Sequence, residues 1–517
     1  MNFKLKWGMG IFVVTYVLIF LAMRLTNLTL LPVFGDEVLH IIWVRATLTG
    51  DVLIALREGL RPVYIWLVAV LIQFWPNPLL VTRIASSLSG LAGAAIGYQL
   101  TQVFYPERRF GLLALIFYLI SPFALSYDRL GLVDTLLTAF MGAALVSSVY
   151  LWRQPTVVRA IILGCIFAVA ALTKVNAVLY YIMPILLLIF WGKLSSWGKT
   201  AALLSIVYCV PILVWLPLIS QKMYGVYLSQ FTIVTPSQMS FFDRAGQNLK
   251  FATEWLIGYL TLPFAALLIF ALLMIIIKRE KPGLMLIILV ISTALFFIVG
   301  FKGWYPRYLL PVIIPLSVIF AWSINYLVDL ISALVKKLSH QELTSLSRLV
   351  FLGVILFVFS IPSLLFDYFI IAAPVSAPWP VIEKWQYIEG PYSGYGLPES
   401  AQLTKELAEK FGGVTLLASP YAFDSIGTSL YLPNSKKISV EILTDFNNDI
   451  LKHINALAQK GPVLTVATFA ADQDDTFIPI GKIKCYQVER LGSFFKPGGK
   501  VKVNVYQWVF PHSYCGF

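Results

Sequence analysis

Charged side chains are scarce in this sequence. Asp, Glu, Lys and Arg make up only 13% of its 517 residues, whereas hydrophobic residues make up 59%. Because a soluble domain is about a quarter charged and about half apolar, this composition excludes a soluble protein and indicates a chain with many membrane spans. The net charge of +13 comes from short Lys/Arg clusters between apolar runs. Such clusters orient membrane proteins, so nucleic acid is not an expected partner.

Cysteine and histidine are also rare, with four residues of each. No CxxC pair and no His–Cys cluster occurs, so the usual ligand spacing of a structural zinc site is absent. Cys165 and Cys209 lie in apolar runs and are expected to be inert, whereas Cys485 and Cys515 could pair in an oxidising compartment. The sequence contains no GxxxxGK[ST] loop, which argues against ATP-driven transport.

The apolar runs predict about 11 membrane spans. They fall at about 7–24, 84–104, 110–127, 132–152, 158–173, 176–192, 200–219, 253–277, 283–300, 308–333 and 349–372. The first run resembles a signal peptide, but it lacks a small-residue cleavage site and is interpreted as a retained anchor. A further candidate, 62–75, is short for a span and begins Arg61-Pro62.

The distribution of positive charge tests whether 62–75 crosses the membrane. If it does not cross, the N-terminus shares one side with five basic loops. These loops are 105–109, 153–159, 193–199, 278–282 and 334–348. Because Lys and Arg gather on the cytoplasmic side, this alternative is favoured. It predicts a cytoplasmic N-terminus and an outer loop over 25–82, in which 62–75 lies along the membrane surface or dips into it.

The remaining tail, 373–517, is predicted to lie outside the cytoplasm. An amphipathic helix at 401–411 ends at Gly412-Gly413, and strand-like runs follow it. These runs are 414–418, 438–442 and 463–467, with a terminal hairpin from 482–489 and 501–510. Helices alternating with apolar strands predict a small α/β domain. We therefore expect two domains, 1–372 and 373–517.

The favoured topology places most of the unusual polar residues on or near the outer face. They are Asp36, Glu37, Asp51, Arg61, Arg83, Asp128, Arg129, Asp134, Lys174, Tyr305 and Arg307. Ionisable groups near a membrane are energetically unfavourable unless they stay hydrated or have a function. This face is therefore the predicted active face. A site in contact with both lipid and water suits an enzyme that acts on a lipid headgroup.

The residue types on this face suggest chemistry on a phosphate. Arginine grips phosphate oxygens with a planar fork, and lysine supplies a point charge. Arg61, Arg83, Lys174 and Arg307 are the candidate phosphate ligands. A carboxylate could take a proton from an attacking hydroxyl while the cations stabilise the leaving phosphate. The combination predicts group transfer from a lipid phosphate.

Several of these residues also have a structural interpretation. Asp36-Glu37 could be a solvated loop or, through Asp36, a helix cap, and Asp51 after Gly50 could be a turn residue. An ion pair could close the turn that holds Asp128-Arg129 and Asp134.

Two cations and one histidine have alternatives of their own. Lys174 could cap a helix C-terminus, and Arg307 could belong to an interfacial aromatic belt. His40 lies one helical turn from Asp36, but no second histidine accompanies it. No cofactor is therefore expected, and a divalent metal is kept only as a minor alternative.

The motifs resemble those of the GT-C membrane glycosyltransferases, and most closely the branch of protein O-mannosyltransferases and lipid A aminoarabinose transferases. Their order and spacing carry the resemblance over residues 35–311. The matching segments are Gly35-Asp36-Glu37, Gly50-Asp51, Arg61-Pro62-Val63-Tyr64, Thr82-Arg83-Ile84-Ala85-Ser86, Leu119-Ile120-Ser121-Pro122-Phe123, Ser126-Tyr127-Asp128-Arg129, Asp134, Ala171-Leu172-Thr173-Lys174 and Arg307-Tyr308-Leu309-Leu310-Pro311.

The resemblance implies a GT-C fold with juxtamembrane helices in the first outer loop, a sugar donor on a polyprenyl phosphate, and inverting transfer. For a bacterial cytoplasmic membrane the lipid would be undecaprenyl phosphate. It also implies that Asp36 is the general base and that Glu37 orients the acceptor or the sugar. Arg61 stands where the aminoarabinose branch has a lysine, so its charge is kept. Lys174 and Arg307 match positions of phosphate ligands. The residues expected to line the substrate site are Asp51, Tyr64, Asp128, Arg129, Asp134 and Tyr305.

The chain departs from the mannosyltransferases because it lacks their inserted outer lectin-like domain. Its tail opens instead with 391–396 (PYSGYG), a phrase found in bacterial members of unassigned substrate. The acceptor therefore stays open among a lipid, a glycan and a protein. A transporter or flippase of lipid-linked sugars is the alternative function, and a non-catalytic scaffold is a third.

Overall fold

The computed structural model describes residues 3–59, 61–192, 197–219, 240–300, 305–340, 343–418, 423–432, 436–443, 449–473 and 487–509. Contacts divide the chain into two units. The first unit comprises Met1–Leu28, Ala46–Leu71 and Thr82–Pro380, and the second comprises Thr29–Arg45, Ile72–Val81 and Val381–Phe517. Two segments of the first predicted loop thus group with the tail. The domain division at 372/373 stays a prediction.

Helices account for nearly all regular structure before Pro380. They are α1 (Phe3–Leu25), α2 (Gly35–Leu48), α3 (Ile54–Gly59), α4 (Pro62–Leu71), α5 (Pro78–Phe104), α6 (Arg108–Leu119), α7 (Pro122–Asp128), α8 (Asp134–Arg153), α9 (Val157–Thr173), α10 (Met183–Trp191), α11 (Trp197–Ile219), α12 (Phe241–Lys278), α13 (Lys281–Gly300), α14 (Ile313–Ser339) and α15 (Ser345–Ala372). Short 3₁₀ segments at Val175–Ile182, Pro306–Val312 and Pro374–Ser376 join them.

The protein is a multi-pass helical membrane protein, as predicted. Each predicted apolar run coincides with helix in the described ranges. Within those ranges, seven helices are long and apolar enough to cross a membrane, or eight if α6 and α7 form one bent span. The predicted number of about 11 is larger because Met9–Leu25, Val157–Thr173 and Val175–Trp191 are shorter apolar helices.

The span predicted at 110–127 is broken in the middle. α6 and α7 meet at an angle of 62°, and the break falls at Ser121-Pro122. Proline disfavours helical backbone at the residue before it, and Ser121 has extended φ/ψ angles. Its hydroxyl accepts from the Ala124 N–H at 3.4 Å, which caps the new helix.

The segment 62–75 forms the ten-residue helix α4. At 1.5 Å per residue it is about 15 Å long, roughly half the thickness of a bilayer core. Its length agrees with the interpretation that this segment does not cross. Pro62 occupies the first turn of α4, where a residue without an N–H is tolerated.

The second unit contains a five-stranded mixed sheet. Its strands are β1 (Val414–Ala418), β2 (Ile438–Ile442), β3 (Val463–Ala470), β4 (Gln487–Phe495) and β5 (Val501–Val509), in the order β2-β1-β3-β5-β4. β2, β1 and β3 are parallel, whereas β5 is antiparallel to both β3 and β4. The helices of the tail are Val381–Lys384, Leu397–Phe411, Phe423–Ser429 and Asp449–Ala458, with a π-helical turn at Trp385–Glu389.

The predicted α/β tail is confirmed as a helix-and-sheet unit, and its three parallel strands match the predicted runs. The first strand of the hairpin was predicted at 482–489, but the described strand runs through Phe495. A tight turn then places Gly498 and Gly499 at positive φ, which glycine tolerates.

Part of the first loop belongs to the core of this unit. Val33, Val38 and Ile41, around the start of α2, are each at most 1% exposed and pack in one cluster with the sheet. Leu416 and Val466 contribute the strand side of that cluster. The start of α2 is therefore built into the sheet unit by apolar burial.

In the first unit, a buried ion pair anchors the end of α1. Arg24 Nε donates to Asp128 Oδ2 at 3.2 Å, and both side chains are 0% exposed. Arg24 also donates to the Leu119 carbonyl at 2.8 Å and the Tyr118 carbonyl at 3.3 Å. The pair ties α1 to the break between α6 and α7, where helix-end carbonyls need partners.

Two further arginines bind carbonyl groups at the same place. Arg129 donates to the carbonyls of Met23 (2.9 Å), Arg24 (2.8 Å) and Asn27 (3.0 Å), and Arg83 donates to Leu28 at 2.7 Å. The ion pair at this turn thus joins Asp128 to Arg24, not to the adjacent Arg129. We call Arg24, Arg83, Asp128 and Arg129 the anchor network.

We expect Gly90→Ala in α5 to destabilise the protein. The added methyl would overlap the Asp128 carboxylate and disturb its pair with Arg24, at a cost of about 1–3 kcal/mol for overpacking. Gly353→Ala in α15 is the matched control, because a methyl there meets no atom within 4 Å. Thermal unfolding of both variants in one detergent measures the difference. Equal melting temperatures for the two variants would contradict the assignment.

Candidate functional site

The two predicted catalytic carboxylates lie in the first turn of α2. The helix begins at Gly35, so Asp36 is its second residue and not its cap; the capping interpretation was wrong in this detail. The Phe34 carbonyl accepts from the N–H groups of Glu37 (2.9 Å) and Val38 (3.1 Å). Asp36 is half-buried, and a carboxylate at a helix N-terminus is stabilised by the helix dipole.

The side chain of Glu37 caps the start of α2. Its side chain is 0% exposed, and Oε2 accepts from the Phe34 N–H at 2.9 Å. A glutamate that reaches back to the residue preceding the helix forms half of a capping box. Of the two acids, Asp36 is the more accessible, and its predicted role as the base stays a prediction.

In the first unit, a second buried ion pair joins two helix ends. Lys174 Nζ donates to Asp134 Oδ1 at 2.6 Å, and the two side chains are only 4% and 3% exposed. Lys174 is the C-terminal cap of α9 and Asp134 begins α8. Each charge therefore also suits the dipole of its own helix. Lys174 can therefore cap α9, as one interpretation of the sequence held, and also belong to the predicted site.

Arg307 lies beside this ion pair, because both cations contact the same aromatic ring. Lys174 Nζ is 4.3 Å from the centre of the Tyr308 ring, and Arg307 Cζ is 5.7 Å from it. Arg307 Cζ also lies 5.3 Å from the ring of Tyr305. Cation–π contacts of this kind stabilise a positive charge that is partly removed from water.

Arg61 completes the group. Its backbone N–H donates to the Ala55 carbonyl at 3.0 Å, which fixes it at the start of α4. The positive charges of Arg61 and Arg307 both act on Lys174. We call Arg61, Lys174 and Arg307 the cation cluster. With Asp134 as their acid, these four side chains carry a net positive charge, which favours an anionic ligand.

The remaining predicted residues occupy other places. Tyr64 Oη donates to the Thr82 carbonyl at 3.0 Å and lies 3.1 Å from Ser86 Oγ. Asp51 pairs with Arg57, and both are exposed. Arg83, Asp128 and Arg129 belong to the anchor network described above. Their predicted roles toward substrate stay predictions.

The structure thus groups Lys174, Arg307, Arg61, Asp134 and Tyr305. Sequence reasoning missed Arg24 and Tyr308. A lone arginine at the end of the first apolar run was the available signal for Arg24. The adjacency of Tyr308 to Arg307 was the signal for the shared ring.

No group of three or more His, Cys, Asp or Glu side chains that could hold a metal occurs within the described ranges. His40 packs beside Trp43, with ring centres 5.8 Å apart. Cys165 and Cys209 are exposed free thiols. The predicted pairing of Cys485 with Cys515 lies outside the described residues.

Comparisons with known proteins concern the family and the fold of the chain. Residues 61–215 match the model of the family described as dolichyl-phosphate-mannose-protein mannosyltransferase. That range contains Arg61, Asp134 and Lys174. A search of curated proteins found no significant match.

Two solved structures share the fold over almost the whole chain. Both are ArnT from Cupriavidus metallidurans, one bound to undecaprenyl phosphate and one in the apo state. The bound form has 15% sequence identity and a TM-score of 0.58, and the match covers 98% of this chain and 99% of that chain. For the apo form the values are 14%, 0.59, 98% and 98%. The resemblance predicted from the motifs is confirmed: residues 61–215 match the model of the dolichyl-phosphate-mannose-protein mannosyltransferase family, and the chain has the fold of ArnT.

Proposed function

We propose that the protein transfers a single sugar from a polyprenyl-phosphate donor to a hydroxyl group of an extracytoplasmic acceptor, with inversion. The cation cluster is the observation that carries this proposal. Lys174 and Arg307 are buried around one aromatic ring, and Asp134 is bonded to Lys174. Arginine and lysine side chains are the usual ligands of phosphate oxygens, and the donor carries a phosphate.

The proposed reaction is one displacement at the anomeric carbon. Asp36 accepts the proton of the acceptor hydroxyl, and the acceptor oxygen forms a bond to that carbon. The bond between the carbon and the phosphate oxygen breaks, and its electron pair stays on the phosphate. The phosphate therefore goes from one negative charge to two. The cation cluster is expected to stabilise that added charge, which lowers the barrier to transfer.

Undecaprenyl phosphate is the proposed lipid. A structure of ArnT was determined with undecaprenyl phosphate bound, and a membrane chain with many apolar helices can accommodate an isoprenoid tail. We place the protein in a bacterial cytoplasmic membrane with its N-terminus inside, on the positive-inside rule. Its acceptor is a lipid, a glycan or a protein.

Mass spectrometry of lipids and glycans in a deletion strain tests the proposed function as a whole. A sugar missing from one envelope component, together with accumulated polyprenyl-phosphate sugar, would identify the acceptor and the donor. Accumulation on one side of the membrane with no missing glycosidic bond would instead support a transporter. An unchanged envelope and no binding of undecaprenyl phosphate would support a scaffold.

We expect Asp36→Asn to abolish sugar transfer without abolishing donor binding. The amide keeps the size of the side chain but cannot accept the proton, so the rate should fall at least a hundredfold, the lower range for general-base catalysis. Transfer in membrane vesicles and binding of undecaprenyl phosphate to purified protein measure the two effects. Glu58→Gln is the control, since Glu58 is an exposed acid of the same loop. Full turnover by Asp36→Asn would exclude Asp36 as the base.

Arg307→Ala is expected to weaken binding of undecaprenyl phosphate. Hydrogen bonds to charged groups contribute about 1.5–3 kcal/mol, so the dissociation constant should rise roughly tenfold to a hundredfold. Arg307→Lys should fall between, because it keeps the charge but loses the fork. Arg348→Ala is the control, because that side chain is 49% exposed and faces Asp329 at 3.9 Å. An unchanged dissociation constant for Arg307→Ala would remove Arg307 from the phosphate site.

A further inference from the structure

Lys496 follows β4 and is buried, with 1% of its surface exposed. Its amine donates to three backbone carbonyls, those of Ser393 (2.6 Å), Pro391 (2.8 Å) and Gly390 (3.3 Å). An ammonium group has three N–H donors and no acceptor, so these three carbonyls match its capacity. We call residues 390–394 the carbonyl loop.

The charge of Lys496 is balanced within the same unit. Burial lowers its pKa to about 8, and the nearby charge of Asp424 opposes that shift. Asp424 accepts from the N–H (3.0 Å) and the hydroxyl (2.8 Å) of Thr468 in β3. An apolar residue would avoid the desolvation of a buried charge. An ammonium group is nevertheless favoured at this position, because it donates hydrogen bonds to three carbonyls and an apolar side chain could not.

The carbonyl loop in turn contacts the residues just before Asp36. The Gly35 N–H donates to the Tyr392 carbonyl at 3.0 Å. Gly394 lies against Val33 so closely that a methyl group on it would overlap the Val33 carbonyl. The loop backbone therefore touches residues 33–35 at two points, and Asp36 is the next residue along the chain.

Two side chains of the same unit hold this segment as well. The Val33 N–H donates to Tyr431 Oη at 2.7 Å. The ring of Phe34 packs edge-on against Tyr387, with centres 4.8 Å apart. The start of α2 is consequently fixed by the sheet unit through backbone bonds, one hydroxyl and one ring contact.

We propose that Lys496 is a positioning residue for Asp36. By holding the carbonyl loop, it sets the place of the Tyr392 carbonyl, which binds Gly35 and so determines where α2 begins. The carboxylate of Asp36 is carried on that first turn. This inference rests on the proposed function, because the position of Asp36 affects the rate only if Asp36 acts on the substrate.

Lys496→Met in the full-length protein tests the proposal. The transfer rate in membrane vesicles of the deletion strain should fall about tenfold to a hundredfold, as for a misplaced catalytic group, while the dissociation constant for undecaprenyl phosphate stays unchanged. Hydrogen exchange at the amides of Glu37 and Val38 should become faster than in the wild type. Lys437→Met is the control, because Lys437 is 46% exposed and pairs with Glu409; its rate and exchange should equal those of the wild type.

A wild-type transfer rate and unchanged exchange in Lys496→Met would overturn the proposal. If that variant does not fold, Tyr431→Phe decides, because it removes the hydroxyl that binds Val33 and keeps the ring. A reduced rate with faster exchange at Glu37 supports positioning of this segment by the sheet unit, and wild-type behaviour overturns it. An inactive Asp36→Asn beside a fully active Lys496→Met rejects only the positioning role, whereas a fully active Asp36→Asn rejects both.

Discussion

The buried ion pair between Lys174 and Asp134 is the interaction on which the proposed phosphate site depends. Few acids occur in this apolar chain, and a buried lysine without an acid beside it is strongly unfavourable. With Asp134 at 2.6 Å, Lys174 keeps a fixed place at the end of α9. The positive charges of Arg307 and Arg61 act on Lys174 as well. These three cations are the proposed ligands of the donor phosphate.

The anchor network shows how differently buried arginines are used elsewhere in the same unit. Arg129 donates to three backbone carbonyls, and Arg24 is bonded to an acid and to two carbonyls. These groups are satisfied by the fold itself, so they hold α1 against the break at Ser121-Pro122. In the sheet unit, Lys496 likewise donates hydrogen bonds to backbone carbonyls. The described residues thus include cations that bind backbone carbonyls and a separate set, the cation cluster, for which a phosphate ligand is proposed.

Much of the fold could be predicted from local patterns. Apolar runs place the helices, because a run of spanning length has few alternatives in a bilayer. The parallel strands of the tail follow from their short β-branched runs. The break at Pro122 was not predicted, although proline and the serine cap before it were visible signals. The grouping of 29–45 with the sheet unit was hidden, because Val33, Val38 and Ile41 find their partners more than 350 residues away in the sequence.

The sequence by itself determined the membrane class, the approximate helices and strands, the candidate charges and the family resemblance, since composition, periodicity and motif order are local properties. Only the tertiary structure decided which charges meet. Lys174 binds Asp134 and shares a ring with Arg307, whereas Asp128 binds Arg24 and Glu37 caps its own helix. The physical reason is that a charge in an apolar interior must find its counter-charge or carbonyl in space, and that partner is set by the packing of distant helices rather than by neighbours in sequence.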